Sequence, residues 1–130
     1  QDLELYTKIA IEKSVAITNS FTVEYNFSLD NQLSKTPISQ KKLMLFEQFH
    51  AFESNNESLK KFLDFYRLEY ALQFRTAGEI EKSNTYLKDI TSKIPFKTKV
   101  LLSMPSYILR FFLKTKHLLK KYGIDFSVYH

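Results

Sequence analysis

Two glycines and three prolines in 130 residues constrain this chain more than any other feature. A sandwich or barrel of many short strands needs a turn-former every few residues, and too few are present to supply one. Amphipathic helices joined by short polar loops need few, so the breakers allow a mostly helical chain. An apolar share of 44% and a charged share of 25% belong to a globular protein that buries its own core, not to a disordered tract. The absence of cysteine excludes a disulfide scaffold and a thiolate metal site, and it fits a reducing, cytoplasmic setting. No apolar run approaches the roughly 20 residues of a membrane-spanning helix. Gln1 in place of Met, with no leader-like segment after it, reads as the cut start of a fragment.

The apolar pattern divides the chain. Over residues 2–13, Leu5, Tyr6, Ile9 and Ala10 fall at helical spacing, with Asp2 and Glu4 in the first turn, where the helix dipole favours negative charge. From 15 to 25 the period drops to two: Val15 and Ile17, then Phe21, Val23 and Tyr25, predict two short strands. Residues 26–35 are polar and mark a boundary, giving a segment 1–35 and a helical segment 36–130.

In the second segment Thr36-Pro37 predicts a helix start, with Leu43, Phe46, Phe49 and His50 on the inner face of a helix running to about Glu53. Ser54-Asn55-Asn56 caps the next helix, whose stripe is Leu59, Phe62, Leu63, Tyr66, Tyr70 and Phe74 and whose end is Gly78. A further helix carries Ile80, Tyr86, Leu87 and Ile90. The last helical stretch, about 96–122, is either kinked or restarted by Pro105. A four-helix bundle follows, with Phe46, Phe49, Phe62, Tyr66 and Phe111 buried together.

Residues that could carry independent chemistry are sparse. There is no Gly-rich phosphate loop, no Asp-x-Asp, no pair of histidines at metal-ligand spacing and no nucleophile elbow. His50 reads as a packed or half-exposed histidine on an aromatic face and His117 as part of a solvated basic face.

The opening residues say more. Gln1-Asp2-Leu3-Glu4-Leu5-Tyr6-Thr7-Lys8-Ile9-Ala10, then Val15-Ala16-Ile17-Thr18-Asn19, then Phe21-Thr22-Val23-Glu24-Tyr25 and Leu33-Ser34-Lys35 resemble the end of the catalytic domain of bacterial family 2 glycosyltransferases of the GT-A fold. In that family an acidic pair opens a helix that two strands and a polar loop follow, and the enzymes often append a helical, basic C-terminal region. The resemblance implies a two-strand remnant of an α/β catalytic domain in residues 1–35. It implies that Asp2 stands where the family has the base acting on the acceptor hydroxyl. Gln1 stands where Glu is commoner, and Asn26 where many members have His or Arg. It further implies a nucleotide-sugar donor, a glycan or lipid-linked acceptor in surface polysaccharide synthesis, and a divalent cation, Mg or Mn. The donor and cation sites would lie upstream, leaving the fragment inactive alone.

Charge is uneven. The net +5 is concentrated between Asp89 and Asp125, a stretch with no acidic residue and eight lysines and arginines. Arg110, Lys114, His117 and Lys121 recur at helical spacing there, with Lys116 and Lys120 beside them. Two readings stand level: a solvated face, or a membrane-surface helix in which Arg110, Lys114, Lys120 and Lys121 meet anionic headgroups on the inner membrane face. No base-reading motif accompanies the basic helix, so no nucleic-acid partner is expected. A different class of answer is a helical interaction module without enzymatic activity. Residues 77–86 are similar to a tetratricopeptide helix pair, but no second copy follows at a period of about 34 residues.

Overall fold

The computed structural model describes residues 2–14, 16 and 36–121, with backbone alone at Asp2, His117, Lys120 and Lys121. Helices account for most of the described residues, and no strand occurs among them. Apart from Ala16, the two strands expected over 15–25 lie outside the described residues, as does the end of the last helix at Gly123. The helices are α1 (Asp2–Glu12), α2 (His50–Glu53), α3 (Glu57–Ala77), α4 (Ile80–Lys88), α5 (Phe96–Ser103) and α6 (Ser106–Lys121). The chain forms two compact units, Gln1–Lys60 and Lys61–His130.

In the first unit α1 begins at Asp2, as the acidic first turn predicts. Its packed side is not the apolar stripe. Leu5, Tyr6 and Ile9 are 56%, 66% and 42% exposed, and the buried residue is Thr7, whose hydroxyl donates to the Leu3 carbonyl at 2.7 Å. Hydrogen bonds from Lys8 and Gln48 hold the Glu4 carboxyl below the ordinary carboxylate range.

The helix expected from Thr36 to Glu53 is broken. A 3₁₀ turn over Ile38–Gln40 ends at Lys41 in extended backbone, and a second turn, Glu47–Phe49, leads into the four residues of α2. Met44 and Phe46 are buried and Leu45 between them is exposed. Residues 42–45 belong to no regular element, and the alternation departs from the single inward face that an α-helix would give. Burying two large side chains two residues apart outweighs the high helix propensity of Lys41 to Gln48, a run of Lys, Leu, Met, Glu and Gln interrupted only by Phe46. Phe49 is buried, as its inner position predicted, and His50 is exposed.

Asn56 caps α3 as its place before the helix foretold: its Oδ1 accepts the Leu59 N–H at 3.0 Å, satisfying one of the orphan donors of the first turn. In the second unit the buried line of α3 is Leu63, Asp64, Arg67, Ala71 and Phe74. This is rotated by roughly a quarter turn from the predicted stripe, at 100° per residue. Phe62 is 40% exposed and Tyr66 half-buried. Phe111, on α6, is 65% exposed. Of the five rings expected to be buried, only Phe46 and Phe49 are.

α3 ends where Gly78 predicts. Gly78 has φ +91°, open to glycine and strained for residues with a Cβ. Its N–H donates to the Arg75 carbonyl at 3.1 Å and the Glu79 N–H to the Phe74 carbonyl at 2.9 Å. These are the two bonds of a Schellman cap. The turn sends α4 back along α3. The Tyr86 ring stacks on Phe74 with centroids 5.6 Å apart and meets Tyr70 edge-on at 5.6 Å. Further on, Thr91 and Ser92 reach Asp64. The contacts thus run backward along α3, the mark of an antiparallel helical hairpin. Lys82 lies over the other partner ring, Phe74, 5.5 Å from its centroid. Met104 is extended (φ −76°, ψ 147°) because the next residue, Pro105, disfavours the helical region before it. Pro105 therefore restarts the chain as α6, and its carbonyl accepts the N–H groups of Ile108 and Leu109.

Candidate functional site

Three places concentrate chemistry-bearing residues. The first is the start of α1, where Asp2 is the first helical residue. The helix places Asp2 beyond Glu4, whose carboxylate is engaged with Lys8 at 2.8 Å.

The second is α6. Of the four cations expected to meet a membrane, Arg110 is engaged within its own unit. Its Nε donates to the Thr76 carbonyl at 2.8 Å and its Nη2 to the Ala77 carbonyl at 2.7 Å. The Schellman bonds take the Phe74 and Arg75 carbonyls, so Arg110 takes the two that a helix C-terminus leaves over. A guanidinium there also meets the negative end of the helix dipole. Lys114 is exposed and Lys116 half-buried. Lys120 and Lys121 belong to the last turn of α6, and their side chains are outside the description.

The third place was not anticipated. Asp64 and Arg67, both buried, pair at 2.9 Å on one side of α3. The other Asp64 oxygen, Oδ2, accepts the N–H groups of Thr91 at 3.2 Å and Ser92 at 2.9 Å. Burial is the largest influence on this carboxyl and pushes its pKa up. Hydrogen bonds from the Ser92 side chain and N–H, from Arg67 and from the Thr91 N–H outweigh it, and the net pKa is lowered. Alongside lies an open groove of about 520 Å³ with Phe65, Leu68, Ile90 and Phe96 among its apolar residues and Lys61 and Lys93 among its polar ones. Its volume is within the range of small-molecule sites. Sequence reading missed the pair because Asp64 and Arg67, three residues apart, look like any surface ion pair on a helix.

Among the described residues no group of three or more His, Cys, Asp or Glu side chains is placed to hold a metal ion, so no residue here is assigned to the cation the family resemblance implies. Nor is any helix among them long and apolar enough to cross a membrane. No known protein family, curated protein or solved structure matches the chain.

Proposed function

We propose that this chain is the C-terminal part of a bacterial family 2 glycosyltransferase of the GT-A fold. In this reading it closes the catalytic domain with residues 1–35 and appends a helical region. The reading rests on the resemblance of the opening residues to that family. One structural observation supports it: α1 opens at Asp2 and turns Leu5, Tyr6 and Ile9 outward, an apolar face suited to packing against more of a catalytic domain.

Asp2 is the general base. Its carboxylate takes the proton of the acceptor hydroxyl as that oxygen bonds to the anomeric carbon of the nucleotide sugar. The bond from that carbon to the diphosphate breaks, and the nucleoside diphosphate leaves with the electron pair. A divalent cation, Mg or Mn, supplies charge stabilisation of the diphosphate when bound, through residues upstream of this chain. The acceptor is a glycan or a lipid-linked sugar.

Two measurements test the proposal. The 130-residue chain alone turns over no nucleotide sugar, whereas the protein that carries the upstream sequence does. In that protein Asp2→Asn lowers kcat by about 10²–10⁴-fold with little change in donor KM. A frame lacking an upstream Asp-x-Asp, or a near-normal Asp2→Asn enzyme, overturns the reading.

A further inference from the structure

We infer that α6 is a docking helix for an anionic membrane surface, and that it engages the surface through a solvent-facing apolar stripe rather than through charge alone. The inference is independent of the glycosyltransferase reading. Tyr107, Phe111, Lys114 and Leu118 stand at i, i+4, i+7 and i+11, which a helix places on one line. The three apolar members are 70%, 65% and 55% exposed, and Lys114 is exposed among them. Leu109, on the opposite side of the helix, is buried at 5%. The helix therefore packs into its unit by one side and presents tyrosine, phenylalanine and leucine on the other. Phe112 and Leu113, also exposed, lie about 130° to either side of that line at 100° per residue, beside Leu109, and are not part of the stripe.

Charge identifies the occupant. Neither α5 nor α6 contains an acidic residue, and α6 alone carries Arg110, Lys114, Lys116, Lys120 and Lys121. An apolar surface of this composition repels a basic partner and attracts an anionic one. The arrangement, with aromatic and leucine side chains interleaved by lysine on a helix too polar to cross the bilayer, is that of a helix lying in the headgroup plane. Nucleic acid is the less favoured anionic partner, because Phe111 and Leu118, exposed on the stripe beside Lys114, offer a phosphate backbone nothing. Arg110 is not assigned a lipid contact, since its guanidinium is held by the Thr76 and Ala77 carbonyls.

The test is cosedimentation of the chain with phosphatidylcholine vesicles, with and without phosphatidylglycerol, at rising salt. The chain is expected to bind the anionic vesicles, bind the neutral ones far less, and lose part of its binding as salt screens the lysines. The variant Tyr107→Ser/Phe111→Ser/Leu118→Ser changes exposed positions only, so its helical circular dichroism should match the parent. Its partitioning should fall at least about tenfold. Leu45→Ser, at a 66% exposed apolar residue in the other unit, should change binding by less than about twofold. Equal binding by the triple variant, failure of the parent to bind, or oligonucleotide binding in place of vesicle binding overturns the inference. So does a concentration-dependent dimer that the triple variant abolishes without any vesicle binding, which would make the stripe an interface between copies.

Discussion

Asp64 and Arg67 meet at 2.9 Å on α3 with side chains only 3% and 1% exposed, so the most buried line of that helix is ionic as well as apolar. Two charges withdrawn from water are tolerable only while paired and hydrogen-bonded. Asp64→Ala should therefore destabilise the chain by about 3–5 kcal/mol in urea unfolding, because the buried Arg67 guanidinium loses its bond to Asp64 and the Thr91 and Ser92 N–H groups lose their acceptor. The double variant Asp64→Leu/Arg67→Met should recover part of that loss but not all. The N–H groups of Thr91 and Ser92 would still lack their acceptor. Full recovery would show that the link to residues 91–92 contributes nothing.

The same carboxyl makes stability depend on acid. Its folded pKa lies below the ordinary aspartate value of 3.8, through bonds from Ser92, Arg67 and Thr91 that outweigh burial. A group lowered on folding binds its proton more readily unfolded. Its contribution is complete above the unfolded value and is lost as pH falls through the folded one. Melting temperature should thus be insensitive to Asp64 from neutral pH to about 5 and fall below about 4, and Asp64→Asn should flatten that acid limb. An unchanged limb in Asp64→Asn would assign acid sensitivity to other carboxylates.

Ser83 sits on α4 with 0% exposure, and its hydroxyl has no hydrogen-bond partner among the described residues. A buried hydroxyl without a partner carries a desolvation penalty and returns nothing for it. Ser83→Ala should be neutral or stabilising by up to about 1 kcal/mol. Ser83→Leu should cost about 1–3 kcal/mol, because the site holds only a small side chain. Loss of stability in the alanine variant would reveal a partner for the hydroxyl.

How much could be foreseen differs from element to element, for physical reasons. Gly78 and Asn56 were legible because a positive φ and a helix N-terminus select residue types locally. Pro105 was legible as a break because its ring acts on Met104, its immediate neighbour. The inward side of α3 was not, because the apolar stripe through Phe62, Tyr66 and Tyr70 is a real feature of the helix, yet the buried line runs through Asp64 and Arg67. That choice is made by partners 27 and 28 residues away, Thr91 and Ser92. Residues 36–53 misled for a related reason: the spacing of Phe46 and Phe49 suits a 3₁₀ turn as well as an α-helix, and only burial of Met44 beside exposed Leu45 tells them apart. For the candidate site, the acid-free stretch pointed to α6, but the exposure of Phe111 and the bonds of Arg110 are tertiary facts that charge and period do not contain.

The end of α3 offers the last prediction, and it separates structure from membrane docking. Four carbonyls close that helix. The N–H groups of Gly78 and Glu79 take two, and the Arg110 guanidinium takes the other two at 2.8 and 2.7 Å. Lysine keeps the charge but cannot present two donors in a fixed fork. Arg110→Lys should therefore cost about as much stability as Arg110→Gln, about 1 kcal/mol for each, the value held down by the exposure of the site. Gly78→Ala should cost about 1–2 kcal/mol from the positive φ alone. Its new Cβ would also stand 3.4 Å from Arg110 Nη2, so Gly78→Ala and Arg110→Gln should be less than additive in a double-mutant cycle. If Arg110 serves this cap, Arg110→Lys loses stability while vesicle binding stays unchanged. If it serves lipid instead, Arg110→Lys keeps stability and Arg110→Gln loses binding. Urea unfolding and cosedimentation on the same three proteins decide between the two.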